Sequence, residues 1–250
     1  MPDWSSGTER LILESVDSTM AEAARRAVAG AAGPLWIMAR EQVAARGRRG
    51  RVWENPVGNF AATLLMRPPE SPVQAGLRSF TAALALYDAL AGLSGRADLL
   101  TLKWPNDVLL AGGKVAGILL ESAGQGGAMS HLAIGFGVNL AAAPPPEALE
   151  AGAFAPVSVL EATGVRVAPE VLLDALAAAF DGWEQRLAAY GFAPVRRAWL
   201  ARAARLGETI TARMARETLT GIFETVDETG ALVLSTRDGR RVIPAADVFF

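Results

Sequence analysis

Lys103-Trp104-Pro105-Asn106-Asp107, followed five residues later by Gly112-Gly113-Lys114-Val115-Ala116-Gly117, is the most constrained stretch of this 250-residue chain. Lys103 and Lys114 are its only lysines; the other 22 of its 24 lysine and arginine residues are arginine. An ammonium on a flexible stem differs from a planar guanidinium in size, hydration and donor geometry. Two lysines within twelve residues therefore mark positions that need the ammonium, against the alternative of chance in an arginine-biased composition. Pro105 and Asn106 impose a turn after a short strand at 99–103. The spacing then predicts a hairpin, 108–110 with 114–121, across Ala111-Gly112-Gly113. Lys114 opens a strand directly after a tight turn, which fixes its aim.

Upstream lies Gln42-Val43-Ala44-Ala45-Arg46-Gly47-Arg48-Arg49-Gly50-Arg51-Val52-Trp53, with four arginines and two glycines between 46 and 51. Arginine offers forked donors that match phosphate and carboxylate oxygens. Glycine lets the backbone approach a ligand and take positive φ. The stretch is too polar and glycine-rich for a core strand or a stable helix. It reads as a mobile loop that closes over an anion, or else as a solvated basic turn or a nucleic-acid-binding segment.

Composition narrows the chemistry. A net charge of −2 argues against a globally basic nucleic-acid binder. The absence of cysteine removes disulfides, Cys-type zinc sites and a thiol nucleophile. A single histidine, His131, excludes His metal clusters and His-dependent triads and reads as structural. Met1 to Ser6 carries no basic or apolar leader pattern, and no apolar run reaches the roughly 18 residues of a spanning helix. A cytoplasmic protein without a membrane segment is expected.

Outward from the centre, strands are predicted at 10–16, 34–41 and 59–66. An alanine-rich helix at 20–29 is capped by Asp17 or Ser18, with Glu22 closing a capping box. Residues 72–93 read as one long buried helix. A turn at 124–127 leads to a strand at 130–140 containing Gly135, Gly137 and Asn139; strand glycines mark close approach by a ligand or another backbone. Residues 141–146 read as a loop. Helices follow at 169–190 and 193–202. From 206 the pattern switches to short strands at 209–214, 218–226, 231–236 and 240–244, separated by turns, which suggests a small, partly independent barrel of SH3-like size.

Taken in order, the arginine–glycine loop before a Trp, the Lys-Trp-Pro-Asn-Asp run, Lys114-Val115-Ala116-Gly117 and Gly135-Phe136-Gly137-Val138-Asn139 resemble the biotin–protein ligases over essentially the whole chain. The resemblance implies an α+β fold: a mixed-sheet catalytic domain of the biotin/lipoate protein ligase type at 1–204, then an SH3-like β-barrel at 205–250. It implies biotin and ATP as substrates with Mg²⁺, biotinyl-5′-AMP as intermediate, and a lysine of a biotin carboxyl carrier domain as acceptor. By resemblance, Ser18, Thr19, Gln42, Arg46, Gly47, Arg48, Lys114 and Gly117 serve biotin. Arg46, Arg51, Trp53, Lys103, Asn106 and Asn139 serve the nucleotide. Lys114, Arg48 and Asp107 carry the chemistry. No protein metal ligand is assigned except Asp107 as a candidate for Mg²⁺, with orienting or deprotonating the acceptor lysine as its other candidate roles.

Two positions depart from the family pattern: Met20 stands where Asn follows Ser-Thr, and Ala45 where a glycine precedes the loop. The first strand begins about ten residues into the chain, which leaves no room for the helix-turn-helix of repressor members. A ligase without repressor function is expected, as a monomer or homodimer that binds no nucleic acid and no membrane. Two rival readings stand beside it. One is a lipoate–protein ligase or octanoyltransferase, although the transferases rely on a cysteine that this chain lacks. The other is a non-catalytic nucleic-acid-binding module.

Overall fold

The structure is a computed structural model that describes residues 8–125, 128–144 and 154–250. Residues 1–7, part of the predicted 124–127 turn and the end of the 141–146 loop lie outside the described residues. Seven strands build one mixed sheet: β1 (Glu9–Val16), β2 (Leu35–Gln42), β3 (Phe60–Met66), β4 (Leu100–Lys103), β5 (Asp107–Leu110), β6 (Gly113–Gln125) and β7 (Ala128–Val138). Their order is β1-β2-β3-β7-β6-β5-β4. Only β1 and β2 run parallel.

Alternation along β2 divides the layers. Leu35 and Ile37 pack beneath helix α1 (Thr19–Val28), with Met20, Ala23 and Ala27. Trp36 and Met38 point to the other face, toward helices α2 (Pro72–Gly76), α3 (Arg78–Ser94), α4 (Val159–Thr163), α5 (Pro169–Tyr190) and α6 (Phe192–Leu200). A strand buried on both faces reads as a continuous apolar run, as Leu35-Trp36-Ile37-Met38-Ala39 does.

The expected single helix at 72–93 is broken at Leu77, directly after Gly76, a weak helix former. The break places Arg78 in the interior, where it pairs with Glu70 and Glu184 of α5. The expected capping box is also absent. Ser18 is the N-cap, so Glu22 falls one residue beyond the position that could reach back. The Ser18 amide donates instead to Asp17 Oδ1 at 2.7 Å, and Glu22 pairs with Arg25 and Arg26.

A second, antiparallel sheet contains β8 (Thr209–Arg213), β9 (Thr218–Val226), β10 (Leu232–Thr236), β11 (Gly239–Ile243) and β12 (Asp247–Phe249), in the order β11-β10-β9-β8-β12. Sequence reading found the first four strands and missed β12. The apolar core is continuous between the sheets: Ile210, Phe223 and Leu232 join the same cluster as Phe80, Leu102 and Trp199. Trp104 Nε1 donates to the Gly230 carbonyl at 3.0 Å, and the Arg202 carbonyl accepts from the Leu102 amide at 2.8 Å. The C-terminal sheet therefore shares its core with the first.

Candidate active site

A cavity of about 500 Å³ opens between the N-terminus of α1, the arginine segment, the β5–β6 hairpin and the edge of the second sheet. Every site residue named from the sequence lines it. Its volume falls in the range of small-molecule sites, about 300–1,000 Å³.

At its base, Asp107 stands at the start of β5, opposite Lys103 in β4 and Gly117 in β6. Lys103 Nζ lies 3.2 Å from Asp107 Oδ2, and Lys114 Nζ lies 2.8 Å from Oδ1. Asp107 and Lys103 are buried, whereas Lys114 is part-exposed toward the cavity. Burial pushes the Asp107 carboxyl up. The charges of Lys114 and Lys103 outweigh that and hold it below the usual carboxylate range. Burial lowers Lys103, against the pull of Asp107. Oδ1 has an ion pair with Lys114 but no aligned hydrogen bond among the described residues. The Lys103 ammonium also sits 4.9 Å from the centre of the Phe154 ring, and that of Lys114 5.6 Å from Trp53.

Asp107, the candidate Mg²⁺ ligand named from the sequence, is engaged by both lysines. Both of its oxygens face ammonium groups that would repel a dication. Among the described residues no group of three or more His, Cys, Asp or Glu could hold a metal. Mg²⁺ commonly binds through substrate phosphates and few protein carboxylates, and no residue is assigned to it.

The arginine segment folds as a small hairpin. Arg46 bridges Val52, and the Gly47 amide donates to the Arg51 carbonyl at 2.8 Å. The positive φ values fall at Arg49 (57°) and Gly50 (73°), whereas Gly47 is extended at −98°. Arg48 Nη1 donates to Asn106 Oδ1 at 3.2 Å. Asn106 Nδ2 in turn donates to the Ile118 carbonyl, so Asn106 ties Arg48 to β6. Burial lowers the Arg48 guanidinium, with Asp247 and Asp107 opposing. Arg46 turns outward to Glu121 at 3.3 Å.

The opposite end of the cavity is neutral and polar. Gln42 Oε1 accepts from the Thr19 amide at 2.8 Å and from Thr19 Oγ1 at 3.1 Å; Thr63 Oγ1 donates to Thr19 Oγ1 at 2.8 Å. Ser18 Oγ accepts from the Met20 amide at 3.2 Å. Buried Asn139 leaves Oδ1 without a partner among the described residues. The strand glycines make room for side chains of this chain. A Cβ on Gly137 would meet Trp53 Cε2 at 2.5 Å, one on Gly135 would meet Met20 Sδ at 2.8 Å, and one on Gly117 would meet Trp53 Cζ3 at 3.3 Å. The Gly-x-Gly-x-Asn pattern is thus the seat of Trp53 and Met20.

Sequence reasoning missed Phe154, Arg213 and Asp247, which also line the cavity. His131 lies outside its lining. It is buried in β7 with Nδ1 3.1 Å from Ser130 Oγ; burial and then Arg67 push it below its ordinary value.

A mixed seven-stranded sheet with helices on both faces carries two lysines flanking a buried aspartate and an arginine hairpin beside them, a cationic site suited to bringing a carboxylate and a nucleotide phosphate together. The comparisons agree. Residues 12–139 match the biotin/lipoate A/B protein ligase family and 206–250 the biotin protein ligase C-terminal domain. The biotin–[acetyl-CoA-carboxylase] ligase of Paracoccus denitrificans is 57% identical over 239 residues, covering 96% of this chain and 99% of that one. The corresponding ligase of Mycobacterium tuberculosis is 31% identical, covering 97% and 90%. The biotin protein ligase of Aquifex aeolicus, solved with biotin and ATP, superposes with a TM-score of 0.82 at 23% identity, covering 96% and 98%. The chain belongs to the biotin/lipoate A/B protein ligase family.

Proposed function

We propose that this ligase activates biotin with ATP and transfers it to one lysine of a biotin carboxyl carrier domain. A carboxylate oxygen of biotin attacks the α-phosphorus, the bond to the β-phosphate bridging oxygen breaks, and pyrophosphate leaves. The neutral amine of the carrier lysine then attacks the acyl carbon, the bond to AMP breaks, and the amine's proton passes to solvent.

The observation that carries this reading is the Lys103–Asp107–Lys114 cluster facing the arginine hairpin across one cavity. The first step brings two anions together, so fixed cations must lower the repulsion and stabilise the developing charge. Lys114, ion-paired and part-exposed, bridges the biotin carboxylate and the α-phosphate. Arg48 and Arg51 face the phosphates, and Trp53 and Asn139 flank the nucleotide. Ser18, Thr19 and Gln42 supply a neutral polar lining for the ureido end of biotin. Asp107, held ionised well below neutrality, is a weak base; its role is to fix the two ammoniums. The section to residue 204 does the chemistry, and residues 205–250 close one wall.

Magnesium arrives with the triphosphate and supplies charge neutralisation there. Among the described residues no helix is long and apolar enough to cross a membrane, and we place the enzyme in the cytoplasm beside its carboxylase partner. The test is incorporation of labelled biotin into an isolated carrier domain, with ATP present or omitted. Label on one lysine, dependent on ATP and not replaced by lipoate, supports the reading. Equal or better transfer of lipoate would move the chain to the lipoate branch of the family.

A further inference from the structure

Asp247, at the start of β12, is approached by three arginines of the hairpin. Arg49 Nη1 lies 2.6 Å from its Oδ2, Arg51 Nη2 3.4 Å from the same oxygen, and Arg48 Nη1 4.0 Å from Oδ1. Arg48 Nη2 also donates to the Ala246 carbonyl at 3.5 Å. The Asp247 side chain is only 12% exposed. Its backbone is fixed by pairing with Arg213 in β8 and by the buried neighbours Ala246 and Val248. The hairpin tip, Arg48 to Gly50, buries no residue. The tip is therefore held by polar contacts more than by packing: Arg48 to Asn106, and the ion pairs to Asp247, which alone engage Arg49 among the described residues.

The arginines divide by position. Arg48 and Arg51 line the cavity, where a phosphate can take them; Arg49 does not. The Arg49–Asp247 pair can therefore persist with nucleotide present. The same C-terminal strand leads to Phe250, whose ring centre is 4.8 Å from that of Phe154, the residue that covers Lys103. The second sheet thus touches both the roof and the base of the site.

We propose that Asp247 is a positioning residue that latches the arginine hairpin over the cavity through Arg49, making the C-terminal sheet a determinant of how long the mixed anhydride is retained. The retention part rests on the ligase function proposed above; the latch itself does not. Two readouts on the full chain separate them. The first is tryptic cleavage after Arg51 in the ligand-free protein. The second is escape of biotinyl-AMP formed on the enzyme, followed by filtration.

Asp247→Asn should speed both by about three- to tenfold, the range for a part-buried ion pair. Asp247→Glu, which keeps the charge, should stay within about twofold of wild type by the same measure. Arg49→Gln removes one of the three contacts and should speed both readouts by no more than Asp247→Asn does, and the double variant should be no faster than Asp247→Asn, because the aspartate variant already lacks the Arg49 contact. A general structural role would lower the melting temperature and give additive effects. Wild-type rates in Asp247→Asn, or additivity in the double variant, would overturn the latch. If wild type forms no adenylate, the ligase reading fails while the cleavage rates still decide the latch.

Discussion

Lys114→Arg keeps the charge at the base of the site and should still abolish most adenylation. The Lys114 ammonium occupies a tight place, 2.8 Å from Asp107 Oδ1 and 5.6 Å from the Trp53 ring centre. A Cβ on Gly117 would already come within 3.4 Å of it. A guanidinium is longer and ends in a flat fork. To fit, it must push Trp53 off Gly137 or give up Asp107, and either outcome moves the cation from the line between carboxylate and α-phosphate. Losing one preorganised donor at such a centre costs about 10²–10³ in rate, or roughly 3–4 kcal/mol. Single-turnover formation of biotinyl-AMP at saturating biotin and ATP is the assay, with the melting temperature as a check on folding. Lys114→Ala should be at least as slow. A Lys114→Arg rate within about threefold of wild type, less than 1 kcal/mol, would show that any cation suffices and remove the argument from lysine scarcity.

Other expected outcomes follow from the same geometry. Arg48→Gly removes a charged contact to the intermediate worth about 1.5–3 kcal/mol and should speed its release roughly tenfold to a hundredfold, read as biotin labelling of a lysine-rich bystander protein. Asp107→Asn leaves two ammoniums without their buried counter-charge and should cost about 3–5 kcal/mol in urea unfolding. Because the folded Asp107 carboxyl is held below its unfolded value, its contribution is fully present above about pH 4 and lost as pH falls through the folded value. The wild-type and variant stabilities should therefore converge in acid. Gly137→Ala sets a methyl 2.5 Å from Trp53 Cε2; it should raise the KM for ATP severalfold and cost about 1–3 kcal/mol in stability. Loss of residues 206–250 should destabilise the whole chain, because the core runs between the sheets; retention of the wild-type melting temperature after that truncation would contradict the shared core.

The parts of the fold legible in the sequence were those with local punctuation. Pro105-Asn106 and Gly112-Gly113 bracket β5 and set Lys114 at the start of a strand, and the structure has them so. The arginine hairpin was visible as a cationic loop, although its positive φ falls at Arg49 and Gly50 rather than at Gly47. Helix α4 carried a readable signal that went unused: Ser158 Oγ accepts from the Glu161 amide at 3.1 Å, in a Ser-x-x-Glu pattern. The break at Leu77 accompanies the turn of Arg78 into the interior, where it pairs with Glu70 and with Glu184, 106 residues away and outside any local window. Asp247 and Phe154 were invisible for the same reason. Each is an ordinary residue in its own neighbourhood; Asp247 reaches the site through the docking of the second sheet against the first, and Phe154 through the pairing of residues 155–157 with Lys114. The strand glycines marked close approach by a ligand or another backbone, whereas the atoms nearest the missing Cβ groups belong to the side chains of Trp53 and Met20.

The central claim is that the cavity joins the biotin carboxylate to the α-phosphate of ATP. Isotope exchange between pyrophosphate and ATP reads that reversible step alone, without a carrier protein. The account predicts that label enters ATP only when biotin is present, that lipoate and octanoate do not replace biotin, and that Lys114→Arg loses most of the exchange. Exchange that proceeds equally without biotin, or that lipoate supports as well as biotin does, would contradict it.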